Sequence, residues 1–220
     1  MENNNMLNVK KLVGISMFSA LAYITTLVFH IDIMFLSFDV KDAVITIASF
    51  IYGPVSAIVM SFLAAFLELI TISGTGPYGF IMNFASSAAF SFTAALIYKF
   101  RRNFSGAIIS IYSASAVMIA VMMAMNLLVT PFYMTGGNVE AVKALIPKLL
   151  LPFNTAKALM NSALVMLLYK PVSQALRKAR LIEGGFDMKF NRQSAVISVI
   201  ALVTAAIAIT LFIITNIINK

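Results

Sequence analysis

Apolar residues run along this chain in long blocks, and the polar breaks between them predict its elements. Blocks over residues 11–29, 55–72, 80–98, 106–128, 152–169 and 195–218 approach or exceed the ~20 residues that carry a helix across a bilayer. A shorter block, 41–52, is too brief for a full span, and Gly53-Pro54 turns it directly into the helix that follows. The breaks are a polar and aromatic loop over 30–40, the turn-rich "SGTGPYG" over 73–79 and the basic "KFRRN" over 99–103. A polar loop over 135–148 has room for a short surface helix, and a basic amphipathic segment covers 170–192. The pattern predicts an all-α bundle whose last apolar block stands apart from the rest.

Composition places that bundle in a membrane. Of 220 residues 61% are hydrophobic and 11% charged, and the mean hydropathy is +0.96, far from the roughly half-apolar usage of soluble domains. Blocks this long argue against a β-barrel, which alternates in short segments. With 0 cysteines and His30 as the single histidine, the chain offers no disulfide, thiol nucleophile, thiolate metal site or imidazole cluster.

The net charge of +8 could suggest nucleic acid. The basic residues instead flank apolar blocks and form no patch interleaved with aromatics. Lys10 and Lys11, then Lys99, Arg101 and Arg102, then Lys170, Arg177, Lys178, Arg180, Lys189 and Arg192 gather 11 of the 16 on one side of the alternating bundle. The positive-inside bias therefore predicts a cytoplasmic N-terminus and turns the loops beginning at His30, Ser73 and Met134 outward.

Two ionisable residues, Glu68 and Lys157, lie well inside apolar blocks, where charge is costly and a functional role is the default expectation, although both are close enough to the predicted outer helix ends to snorkel. Lys157 stands in "PFNTAKALMN", where Pro152 is placed to open a helix and Asn154, Lys157 and Asn161 share one face at i, i+3 and i+7. "MNLLVTPFY" adds Asn126, Thr130 and Tyr133 at the end of the preceding span, on the same side of the membrane. Amides supply paired donors and acceptors, and an ammonium donates to carbonyl oxygens or polar ring edges. Such a set suits a heteroaromatic ligand with an imide-like edge, against the plainer reading in which the asparagines only bond helix to helix. In the outer loops, Met34, Phe35, Leu36 and Phe38 among Asp32, Asp39, Lys41 and Asp42 would form a lid with a polar rim, in competition with an interfacial aromatic belt. Gly74, Gly76 and Gly79 allow close backbone approach, Tyr78 offers a ring and Asn83 another amide. No Walker lysine and hydroxyl pair follows these glycines, so this loop is not a phosphate-binding site. On the first helix, Ser16 and Ala20 form a small-xxx-small pair that permits close helix packing.

The basic start before a small-residue helix, "DVKDA", the Gly-Pro turn, "SGTGPYG" with its following Asn83-Phe84, Asn126 before "TPFY", and above all "PFNTAK" together resemble the riboflavin-type substrate-binding subunits of energy-coupling factor (ECF) transporters, over about residues 8–182. The resemblance implies a six-transmembrane-helix S-component bundle in the cell membrane. It identifies Asn126, Asn154 and Lys157 with the family's flavin-binding residues. Ser16 and Ala20 stand where the family carries an Ala-xxx-Ala pair that docks on the transmembrane coupling subunit. Riboflavin would be the transported ligand, captured from outside, with two cytoplasmic ATPases driving import and no catalysis or cofactor in this chain. A vitamin-binding domain over 1–182 would be followed, over 183–220, by a linker and an additional C-terminal helix. The alternatives are an S component for another vitamin or for FMN, whose phosphate could meet Lys41, Lys143 or Lys148, a stand-alone proton-coupled transporter using Glu68, an intramembrane enzyme, and a scaffold whose polar residues only pack helices.

Overall fold

Long apolar stretches without internal proline favour helix because in lipid every backbone N–H and C=O must be satisfied within the segment. The computed structural model describes residues 2–101, 104–178 and 192–218. Its elements are α1 (Glu2–Val28), a hairpin of β1 (Ile31–Ile33) and β2 (Leu36–Phe38), α2 (Lys41–Tyr52), α3 (Pro54–Thr71), α4 (Gly76–Phe100), α5 (Phe104–Leu128), the short α6 (Thr130–Met134) and α7 (Val139–Leu145), α8 (Leu151–Lys178) and α9 (Arg192–Ile218). A π-helical turn, Ile146–Leu150, joins α7 to α8. The predicted blocks reappear as helices, with two corrections. The bundle is helical as the pattern predicts, but the predicted 30–40 loop contains a small two-stranded hairpin. Tyr78 and Gly79 belong to the first turn of α4 rather than to a loop, because Pro77, which has no N–H to leave unpaired, opens that helix early. The boundary predicted at 182/183 lies outside the described residues.

Among the described residues, four helices are long and apolar enough to cross a membrane, Val9–Val28, Pro54–Thr71, Gly76–Phe100 and Ser105–Leu128, and Ser198–Ile214 is a shorter apolar stretch. The long helices alternate in direction. The hairpin, α6 and α7 therefore gather at one end, and the Gly53 turn, the end of α4 and the start of α5 at the other. Gly53 makes the tight α2–α3 turn at φ 97°, a left-handed backbone open to glycine at little cost.

Small residues let the helices approach closely. Fully buried Ala114, Ala158 and Ala94 surround Phe90, Ile111 and Met118 between α4, α5 and α8, while Ala48 and Ala64 pack beside Phe18 and Met60 between α1, α2 and α3. Hydroxyls bridge α2 to α4 and α5 to α8: Thr46 donates to Ser91 at 2.9 Å, and Ser115 pairs with Ser162 at 2.8 Å. At the end remote from the hairpin, Phe50 stacks on Tyr98 at 4.3 Å and the Tyr98 and Tyr169 hydroxyls meet at 2.7 Å, tying α2, α4 and α8 together. These contacts make a rigid frame, and the cavity lies above it.

Candidate functional site: a polar cavity beneath the hairpin

The hairpin turns at Met34, with Ile31 opposite Phe38, Asp32 opposite Ser37 and Ile33 opposite Leu36. Its period of two sends Leu36 and Phe38 into a cluster with Val142, Leu149 and Phe153, while Ser37 donates to Asp32 at 2.9 Å on the other face. The hairpin thereby lies across the bundle as a cover. Beneath it is a cavity of about 290 Å³, near the lower end of the range for small-molecule sites. Phe35, Tyr133 and Phe153 bring rings to its wall, Met34, Met82 and Met122 bring adaptable thioethers, and Asn83, Asn154 and Lys157 bring polar groups.

The floor is a network of four buried charges. Lys41 Nζ donates to both Glu68 oxygens at 2.7 Å and lies 3.5 Å from Asp39, and Lys157 Nζ donates to Asp39 Oδ2 at 2.8 Å. Glu68 also accepts from Thr26 Oγ1 at 3.1 Å and from Asn83 Nδ2 at 2.8 Å. Within it two cations face two anions, the condition under which charge persists out of water, and a third carboxyl, Asp42, is buried beside them and accepts from Ser87. The Lys157 and Lys41 ammonium groups thus both face the buried Asp39 carboxylate, at 2.8 and 3.5 Å.

Lys157 also donates to the Ser37 carbonyl of β2 at 3.3 Å, so one ammonium joins α8 to the hairpin. Two of its three donors are used, and the side chain lines the cavity. Asn154 donates to the Leu150 carbonyl at 2.7 Å, which leaves its carbonyl oxygen and second N–H for the cavity. The π-helical turn just before α8 widens the backbone there, as such turns often do at functional sites. Ser86 Oγ and His30 Nδ1 belong to lining residues and are buried without a hydrogen-bond partner. Unpaired buried polar atoms at a cavity wall are what a polar ligand would satisfy.

Lys157, Asn154 and Asn83 come together in the lining, whereas the other predicted binding residues do not. Asn126 is fully buried with its amide satisfied, donating to the Met122 carbonyl at 2.7 Å and accepting from Thr130 at 3.0 Å, and it is Met122, one turn earlier, that reaches the wall. Tyr78 is 40% exposed and stacks at 5.6 Å on Tyr133, which does line the cavity. Phe38 is buried beside Phe153 at 6.0 Å, outside the lining. Asn161 has a structural part. Its carbonyl accepts the Ala43 N–H at 2.8 Å and its amide donates to the Asp39 carbonyl at 3.2 Å, capping the start of α2. Asn161→Ala should therefore cost about 1 kcal/mol, read as a lower unfolding midpoint in detergent, because the buried Ala43 N–H would lose its 2.8 Å acceptor and keep only the longer 3.3 Å bond to the Val40 carbonyl.

Three corrections concern charge. Lys41, expected on the outer rim as a possible phosphate contact, is wholly buried. Asp39 and Asp42, expected in the polar rim, are buried too, with Asp42 accepting from Ser87. Glu68 is accordingly not the lone internal acid of the sequence reading and does not snorkel. One sequence signal pointed this way: α2 has 12 residues and so rises only about 18 Å. A helix that ends at Gly53 and is this short must begin below the opposite surface, taking Asp39, Lys41 and Asp42 down with it.

Ser16 and Ala20 lie on an exposed stripe of α1, beside exposed Leu12, Met17, Leu21 and Ile24. That stripe is on the outside of the bundle and apart from the cavity.

A family model described as the substrate-specific component of ECF transporters matches residues 10–169. The chain is 31% identical over 182 residues to the riboflavin transporter RibU of Staphylococcus aureus (strain TCH60), covering 79% of this chain and 96% of that protein. It is 27% identical over 190 residues to the riboflavin transporter FmnP of Bacillus subtilis (strain 168), covering 80% and 100%. A solved structure of the S component of a bacterial ECF transporter superposes with a TM-score of 0.65 at 31% identity, over 77% of this chain and 99% of that one. With the helical bundle, its apolar spans and the polar cavity all in place, the chain belongs to the substrate-specific components of ECF transporters.

Proposed function

We propose that this chain is the riboflavin-capturing subunit of a vitamin importer, binding its ligand in the cavity beneath the hairpin. The observation that carries the reading is the convergence of Lys157 and Asn154 in that cavity, each with hydrogen-bonding capacity left over, in a chain similar to proteins named as riboflavin transporters. The imide edge of an isoalloxazine presents carbonyl acceptors and an N–H donor, which the Lys157 ammonium and the Asn154 amide complement. Phe35, Phe153 and Tyr133 would pack the ring system together with Met82 and Met122, and Asn83, Ser86 and His30 would meet the ribityl hydroxyls. The Asn126, Tyr78 and Phe38 contributions are then indirect: Asn126 fixes the end of α5, Tyr78 backs Tyr133, and Phe38 anchors the cover.

Helices α1 to α5 and α8 would form the six-helix transport bundle with both of its ends cytoplasmic, and α9 would be an additional span. Exposed Lys10, Lys11, Lys99 and Arg101 at the end remote from the hairpin support a cytoplasmic N-terminus and a cavity open to the outside. Ser16 and Ala20 would dock on the coupling subunit, which would transmit the work of two ATPases. A proton-carrier role for Glu68 is disfavoured by its two 2.7 Å contacts with Lys41, which hold it as an ion pair.

The test is uptake of labelled riboflavin by a riboflavin-auxotrophic host. Uptake should require this chain together with a coupling subunit and ATPases that hydrolyse ATP. Uptake by the chain alone under a pH gradient would replace the proposal with a secondary transporter.

A further inference from the structure

Helix α9 lies beyond residue 169, where the family match ends, and the RibU and FmnP relatives are covered almost end to end without about a fifth of this chain. It is nevertheless built into the bundle. Ala201 and Ala208 are fully buried along α8, and Thr204 meets the Tyr112 hydroxyl of α5 at 2.6 Å. Near the cavity end, Leu211 and Phe212 join the cluster that holds Leu36, Phe38 and Phe153. The Phe212 ring lies 4.6 Å from that of Phe38, closer than Phe153 at 6.0 Å. Phe38 ends β2, next to Ser37, whose carbonyl Lys157 holds, and next to Asp39, which anchors Lys157. The cover is thus pinned at one short stretch by α8 from below and by α9 from the side. The opposite face of α9, with Val199, Leu202, Ile209 and Ile213, is exposed and apolar as for lipid. The α1 stripe with Ser16 and Ala20 remains uncovered.

We infer that α9 is a brace for the hairpin, with Phe212 a positioning residue that keeps Phe38 seated and so slows opening of the cavity. An aromatic pair adds stabilisation beyond the area it buries, and stabilisation present only in the closed arrangement lengthens the closed lifetime. The effect on bound riboflavin rests on the function proposed above. The effect on the hairpin does not.

The chain contains 0 cysteines, so a single Ile33→Cys reports the hairpin: Ile33 is 5% exposed, packs in the same cluster away from the cavity lining and should react with a maleimide only when the cover lifts. In this background, without ligand, Phe212→Ala should label about 3- to 10-fold faster. Ile213→Ala, on the lipid side, should label at the parent's rate. Phe212→Leu, which keeps bulk without the ring, should fall between and serves in place of Phe212→Ala if that variant does not fold. With riboflavin bound, the Phe212 variants should release it faster by a similar factor while association changes little. Labelling of the Phe212 variants at the parent's rate would overturn the brace, as would equal acceleration by Ile213→Ala. A parent that binds no riboflavin would overturn the ligand assignment and leave the labelling result to decide the brace.

Discussion

Lys41→Met should destabilise the fold by about 3–5 kcal/mol, the loss expected when one partner of a buried ion pair is removed and the other stays behind as an uncompensated charge. Glu68 would keep its donors from Thr26 and Asn83 but lose the cation that holds both of its oxygens, while Asp39 would still have Lys157. Midpoints of thermal unfolding in one detergent measure the effect. The double variant Lys41→Met with Glu68→Gln should regain most of the loss, because the remaining amide is neutral and still offers an oxygen to Thr26. A Lys41→Met protein as stable as the parent would mean that the lysine reaches water, as its sequence position alone had suggested.

Lys157→Met should weaken riboflavin binding by about 2 kcal/mol or more, about 30-fold in Kd at the least, because a charged donor to a desolvated carbonyl disappears from the cavity. The substitution also takes from Asp39 its 2.8 Å partner, leaving it Lys41 at 3.5 Å, and releases the Ser37 carbonyl, so loosening of the hairpin would contribute. Asp39→Asn combined with Lys157→Met separates the two effects. Removing the excess buried carboxylate should restore much of the unfolding midpoint while the affinity stays low. Recovery of affinity along with stability would reduce Lys157 to a structural tie. Asn154→Leu, which takes away one neutral partner, should cost about 0.5–1.5 kcal/mol of binding.

The sequence disclosed the helices because lipid demands continuous apolar helix, a requirement written into each block separately. It disclosed Asn154 and Lys157 as neighbours because both lie on one helix, where spacing fixes the face. What it withheld depended on depth and on tertiary pairing. Lys41 and Asp39 read as loop charges until the shortness of α2 is turned into a distance, and Glu68 reads as isolated until α2 is placed beside α3. The hairpin escaped because three-residue strands carry too few positions to show alternation, and β1 and β2 gain their stability from Val142, Leu149 and Phe153 far along the chain. Asn126 looked like a cavity residue since it ends α5 on the correct side, but its rotation about the helix sends the amide to Met122 and Thr130. Nothing local predicted α9 against the cover, because Phe212 and Phe38 meet across nearly the whole length of the sequence.

Riboflavin fluorescence titrated with the purified chain in lipid nanodiscs decides whether the cavity takes the vitamin, since flavin entering a ring-lined cavity is quenched. Quenching should saturate at one riboflavin per chain and be sharply reduced in Lys157→Met. A folded parent protein that leaves the fluorescence unchanged at micromolar concentration would contradict the riboflavin assignment.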